Sequence, residues 1–289
     1  MPISSSESIS LHILETPSEM EEIEQLERLV WPGSETDVIP SHLLLAAVHG
    51  GGLVIGAMDT SSNTQNMVGF VFSFPGIYFT PDGPRLKHCS HELGVLPDYR
   101  NLGIGAYLKR AQWQIVRHQG IDRITWTFDP LLSRNAHLNI TKLGGVSNVY
   151  LQDFYGDMRD EMNQGIPSDR LEIDWWVNSR RVEHRLGKHP RRQLHLADFQ
   201  GANATIVPAR SALQDVSQNS SPFILIEIPA DFLSLKSQNP AEALDWRLHT
   251  RSVFEELFSL GYLITDFIYE SKVPSPRSFY VFCYGEATL

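Results

Sequence analysis

The stretch that most constrains this chain runs from His88 to Gly120, reading HCSHELGV, LPDYRNLGIG and AYLKRAQWQIVRHQG. It reads as a strand, a glycine-bearing loop and a helix that opens directly out of the loop. Ile104, Leu108, Ala111 and Ile115 recur at i, i+4, i+7 and i+11, one face of a 3.6-residue period. Gly120 ends the helix in the left-handed conformation that glycine adopts at little cost. At the helix entrance stand Arg100, Asn101, Leu102, Gly103, Ile104 and Gly105. With no Cβ at 103 and 105, a bound anion can come close to the backbone N–H groups. Those groups have no intrahelical partner, and the positive end of the helix dipole adds to their pull. A pyrophosphate suits this geometry.

The loop follows a strand ending Leu93-Gly94-Val95, with Leu96-Pro97-Asp98-Tyr99 between. No Gly-Lys-Ser/Thr follows, so it is not a Walker loop, and it lacks the third glycine of a dinucleotide fingerprint. Arg100-x-x-Gly103-x-Gly105 after a strand ending in Val resembles the acetyl-coenzyme A loop of the GNAT superfamily (GCN5-related N-acetyltransferases). The resemblance implies an acyl-coenzyme A held by the loop and by the amides of Leu102 to Ala106, with Asn135 also at the coenzyme. It also implies a pantetheine arm lying along the backbone of Leu93 and Val95, between that strand and a splayed parallel neighbour.

Acidic residues outnumber basic ones by 34 to 24, a net charge of −10 that argues against nucleic-acid or anionic-membrane partners. Two cysteines, Cys89 and Cys283, provide no disulfide framework and fit a reducing cytoplasm. The start, MPISSSESIS, lacks a basic n-region and an apolar h-region, so no signal peptide is expected. The apolar run LLLAAVHGGGLVIGAM is interrupted by His49 and three glycines and is too short to span a bilayer.

In chain order, the pattern predicts a strand at 10–14, a helix at 17–30 and a helix at 40–48. Strands follow at 53–58 and 67–74, joined by the turn Ser61-Ser62-Asn63, then at 88–95 and 124–128. The last two are separated by a helix and are expected to be parallel. Ser133 to Gly145 reads as one helix, and Val146 to Phe154 and Leu171 to Val177 as a strand pair. This order matches the GNAT fold over roughly residues 8–177. The fold class is α/β (α+β), a mixed, mostly antiparallel sheet with a splayed parallel pair. Residues 1–177 form the coenzyme-binding domain. Residues 178–192, with six Arg or Lys against one Glu, read as a basic linker: a solvated connector, a clamp on the coenzyme's phosphates or a contact with an acidic partner. Residues 193–289 read as an αβ extension, either a degenerate second GNAT half or an addition that widens the sheet or covers the acceptor site. A strand is expected at 223–228, a helix from the Asn239-Pro240-Ala241-Glu242 cap to Leu260, and strands at 262–268 and 278–283, with a parallel crossover around the helix.

Acyl transfer to an amine requires a base, an oxyanion site and a fate for the thiolate. Strand alternation places Cys89, His91, Leu93 and Val95 on one face and His88, Ser90, Glu92 and Gly94 on the other. His91 is the expected base, since a histidine titrates near neutral pH. Glu92 is the second candidate if a bulge turns it. The family's usual acid, a tyrosine that protonates the thiolate, corresponds here to Ile140, which leaves Tyr150 and Tyr155 as substitutes. Arg100, Arg110, Arg134 and Lys142 are candidate phosphate partners, with Lys109 and Arg110 alternatively solvated helix residues. Arg170 is a candidate reader of an acceptor carboxylate. No metal is expected. The implied activity is acyl-coenzyme A-dependent N-acyltransfer to a small-molecule amine by a monomer or homodimer. The alternative is a non-catalytic acyl-coenzyme A sensor or partner subunit.

Overall fold

Thr16 sets the first helix in place. It accepts the Glu19 amide at its side chain while the Glu19 carboxylate accepts the Thr16 amide at 2.9 Å, a capping box with Pro17 in the first turn. The computed structural model that carries this cap describes residues 8–33, 35–61, 65–160, 163–187, 192–199, 202, 204–207, 221–271 and 275–285. The turn predicted at Ser61-Ser62-Asn63 lies in part outside them, as do residues 188–191 of the basic segment. The chain divides into two compact units, residues 1–126 with 159–162, and residues 127–158 with 163–289. The sequence places the boundary at 177–192.

The first unit is an antiparallel meander of β1 (Ile9–Ile13), β2 (Leu53–Asp59), β3 (Asn66–Thr80) and β4 (Gly83–Val95). Helices α1 (Pro17–Val30) and α2 (Ser41–His49) are followed later by α3 (Ile104–His118). Met20, Ile23, Leu26 and Val30 of α1 pack with Leu44, Val54, Phe70 and Phe72 in one core. Burying each such side chain contributes about 1.5–3 kcal/mol. Ile104 and Leu108 of α3 pack with Ile55, Val68 and Val71 in a second core. Alternate residues of β2 and β3 thus feed opposite layers, as a period-2 strand requires. The β3–β4 hairpin runs past the predicted ends to Thr80 and Gly83, through Pro75, Gly76 and Pro84, which read as breakers in sequence.

β5 (Arg123–Phe128) pairs with β4 in parallel, through His88↔Ile124 and Cys89↔Thr125. Among the described residues, β4 from Ser90 to Val95 is paired only on its β3 side. This is the mixed, mostly antiparallel sheet with a diverging parallel pair that the resemblance implies.

In the second unit β6 (Val146–Leu151) pairs with β7 (Arg170–Trp176) on one side and, antiparallel, with β10 (Tyr262–Glu270) on the other. The sheet continues through β11 (Arg277–Tyr284), β9 (Phe223–Ile228) and β8 (Ala204–Val207). β9 and β10 run the same way, but β11 lies between them, so the helix Pro240–Ser259 does not join adjacent parallel strands as expected. Phe254 of that helix packs edge-on against Tyr150, Tyr280 and Phe282.

The segment read as a basic linker contains a capped helix, Arg180–Leu186. Arg185 is buried; its Nη2 donates to both carboxylate oxygens of Asp266, at 2.9 and 3.0 Å, and its Nη1 donates to the Thr141 carbonyl. Arg181 donates to the carbonyls of Gly144 and Thr265. These two arginines staple the helix to its own unit, which replaces both the solvated connector and the phosphate clamp for them. The predicted helix at 133–145 divides into an α-helical turn, Ser133–Ala136, and a π-helical segment, His137–Lys142.

Candidate functional site

The entrance to α3 is built by three local devices. A 3₁₀ turn, Pro97–Tyr99, follows β4, and the Tyr99 hydroxyl donates to Asp59 at 2.7 Å, tying the turn to the end of β2. Arg100 folds back, donating from Nε to the Val95 carbonyl at 3.2 Å and from Nη2 to the Val30 carbonyl at 3.4 Å. Asn101 and Gly103 then take left-handed φ values of 69° and 83°. Gly103 is the N-cap; among the described residues no side chain caps the helix, and its first turn holds no acidic residue. The amides of the first turn therefore keep their donors and the dipole its pull. A Cβ at Gly103 would meet nothing within 4 Å, so the space in front of the cap is open. Leu102 and Gly103 are exposed, while Ile104 is anchored in the core. Arg100, a candidate phosphate partner, is thus engaged in holding the loop.

β4 contributes its free edge. The Leu96 amide donates to the Val68 carbonyl of β3 at 2.9 Å. By strand alternation, the peptide groups of Leu93 and Val95 point the other way, toward the edge without a strand partner. Gly94 is required beside them, because a Cβ there would lie 2.7 Å from the Phe70 ring and 3.3 Å from Trp31.

The alternation inferred from sequence fails at His91. Phe72 faces Glu92 and Ser73 faces Ser90, so His91 is the extra residue of a β-bulge. Before it, Ser90 faces α3; after it, Leu93 and Val95 do. His91 and Glu92 both turn to the α1 side. Cys89, His91, Leu93 and Val95 therefore do not share a face. His91 is exposed, and its ring packs edge-on to Phe72 and tilted against Phe74, with centroids at 6.1 and 5.9 Å. Desolvation there lowers its pKa, so it is neutral at pH 7. Glu92 lies near Glu27 of α1, whose charge acts on it. Glu27 is 2% exposed and accepts the Ile39 amide at 2.7 Å. Burial raises the pKa of both carboxyls; for Glu92, the Glu27 charge raises it further.

Lys109, read as a phosphate partner or a solvated lysine, is neither. It is buried, donates to Ser90 Oγ at 2.7 Å and to Gln112 at 3.2 Å, and lies 3.7 Å from the Trp126 ring centroid. Its position under the sheet lowers its pKa well below the usual lysine value through desolvation.

The remaining candidates belong to the second unit. Tyr150 is sequestered, its hydroxyl donating to Asp169 at 2.8 Å, and burial pushes its pKa well above 10. Asp169 in turn accepts from Nε and Nη2 of Arg251. Tyr155 is exposed, with its hydroxyl 3.1 Å from Thr127 Oγ1. Arg170 is buried and donates to the Asp169 carbonyl, Met158 Sδ and Asn163 Oδ1, a structural set of partners in place of an acceptor carboxylate. Asn135 lies half-buried in the short helix Ser133–Ala136, and Ile140 is fully buried in the π-helical segment. Among the described residues, no group of three or more His, Cys, Asp or Glu is placed to hold a metal ion, and no helix is long and apolar enough to cross a membrane.

No protein-family model and no curated protein matches this sequence. Solved structures do. NAA60 of Arabidopsis thaliana in complex with acetyl-CoA matches at 18% identity over 58% of this chain and 99% of its own, with a TM-score of 0.47. The ribosomal-protein-S18-alanine N-acetyltransferase of Escherichia coli matches at 14% identity over 58% of this chain and 94% of its own, with a TM-score of 0.43. A GNAT-family protein of Desulfovibrio desulfuricans matches at 14% identity over 58% and 99%, with a TM-score of 0.45.

Proposed function

We propose that the protein is an acyl-coenzyme A-dependent N-acyltransferase of GNAT type, acting on a small-molecule amine in the cytoplasm as a monomer or homodimer. One observation carries the reading: a helix opens on Gly103 with its first amides uncapped, next to a stretch of β4 that has a strand on one side only. The amides of Leu102 to Ala106 grip the diphosphate of the coenzyme. The pantetheine arm takes the place of a strand along Leu93 and Val95, whose outward N–H groups polarise the thioester carbonyl. Asn101 shapes the turn through its left-handed φ.

The chemistry follows from the bulge. An acceptor ammonium first loses a proton to water. The amine nitrogen attacks the thioester carbonyl carbon, and neutral His91 takes a nitrogen proton as the N–C bond forms. The carbonyl oxygen gains charge opposite the β4 amides, the C–S bond breaks, and the sulfur leaves with the electron pair. With a thiol pKa of about 8.5, it is a fair leaving group.

A second reading, a non-catalytic acyl-coenzyme A sensor, is favoured by buried Ile140, which has no proton to give. Thermal melting with acetyl- and succinyl-coenzyme A, followed by thiol release with a panel of amines, separates the two. The transferase gives both a melting shift and amine-dependent thiol. A melting shift without thiol from any amine supports the sensor, and no shift at all removes both.

A further inference from the structure

Glu27 sits on the buried face of α1 among Met20, Ile23, Leu26 and Val30, where an isolated carboxylate is costly. One of its oxygens accepts the Ile39 amide. The other, Oε1, and Oε2 of Glu92 are buried and have no hydrogen-bond partner among the described residues. Burial of these unpartnered oxygens and the neighbouring Glu27 charge both disfavour the ionised form of Glu92 and raise its pKa, which keeps its carboxyl protonated at pH 7. The bulge at His91 is what brings Glu92 to this face, immediately after the proposed base and at the start of the unpaired edge. The other charged groups nearby are Glu24 and Arg28 of α1, His42 of α2 acting on Glu24, Asp37 of the loop after α1, and His91 itself. Phe70 and Phe72, which β3 contributes, are uncharged.

We propose that Glu92, positioned by Glu27, is the acid that returns a proton to the departing coenzyme A thiolate, an assignment that rests on the transferase reading. As the C–S bond breaks, sulfur keeps the electron pair and takes the Glu92 proton. The pair, left with one more negative charge, is refilled through water by the proton that His91 removed from the nitrogen. Per turnover, amine and thioester become amide and thiol, with no proton unaccounted for. Glu27 touches no reacting atom; it keeps Glu92 protonated.

The test uses the full chain. Infrared spectroscopy at pH 7 reads the carboxylic-acid stretch directly. The expected result is a protonated-carboxyl band in the unaltered protein that is lost in Glu92→Gln, whose amide still donates to Glu27 and so preserves the packing. In thiol-release assays, Glu92→Gln is expected to keep its affinity for acetyl-coenzyme A, lose about 10²-fold or more in kcat, and lose the alkaline limb of the pH profile. Glu92→Asp, which restores an ionisable carboxyl, is expected to recover part of the rate. Absence of the band, or full turnover in Glu92→Gln, overturns the acid role while leaving the transferase intact. Absence of thiol release from the unaltered protein with every amine overturns the transferase reading itself, and the acid role with it.

Discussion

The guanidinium of Arg100 folds back onto the strand that precedes it, donating to the carbonyl of Val95 at 3.2 Å. With its second bond, to the Val30 carbonyl, it fixes the path from β4 into α3. The charge of Arg100 therefore serves the shape of the loop. Arg100→Ala is expected to weaken coenzyme A binding about tenfold, the loss of roughly 1.4 kcal/mol from a charge-assisted bond. Arg100→Lys should not restore it, because an ammonium lacks the fork that spans two carbonyls. Calorimetric titration of both variants checks this; full rescue by lysine would assign Arg100 to the phosphates.

Gly103 offers a separation of fold from binding. Its φ of 83° strains any β-branched residue, at a cost of about 1–3 kcal/mol, but an added Cβ meets nothing within 4 Å. Gly103→Val is thus expected to lower stability moderately, by a few degrees in Tm, and to remove coenzyme binding. Gly103→Ala should fall between. Denaturation curves alongside titrations give both numbers, and an unchanged affinity in Gly103→Val would count against the anion site.

His91 gives the pH dependence its acid side. Desolvation lowers its pKa, so the base is lost only below the ordinary histidine value of about 6.5. The acidic limb of kcat/KM is accordingly expected below pH 6.5. His91→Ala should keep coenzyme affinity and lose about 10²–10⁴ in kcat. A limb at higher pH, or full activity in the variant, would move the base elsewhere.

Arg185 and Asp266 test the stapled helix. Their side chains are 5% and 7% exposed, and removing one leaves the other charge buried. Arg185→Met is expected to destabilise the protein by about 3–5 kcal/mol, and an Arg185→Met, Asp266→Leu double variant to recover much of it. Urea denaturation decides; a loss under 1 kcal/mol would mean the pair is exposed in solution.

The loop and its flanking elements were legible because they depend on local signals. Glycine punctuation marks the ends of α3, and apolar spacing marks its buried face. The strand Phe223–Ile228 and the Asn239 cap are likewise written locally. What escaped depends on partners far along the chain. The bulge at His91 exists only in the register with Phe72 and Ser73, so alternation counted along β4 puts His91 and Glu92 on opposite faces. Glu27 looks like a solvent residue until Ile39 and Glu92 close over it. Arg181 and Arg185 look like a charged connector until Gly144, Thr265 and Asp266 supply acceptors. Lys109 carries no sequence mark of burial; Ser90, Gln112 and Trp126 provide it.

Amide NMR observes the donor groups of the loop and of β4 one by one. In a titration of the isotope-labelled protein with coenzyme A, the N–H signals of Leu102 to Ala106, with those of Leu93 and Val95, are expected to shift together and to saturate with one binding constant. Saturable binding that leaves these signals in place would contradict the coenzyme site.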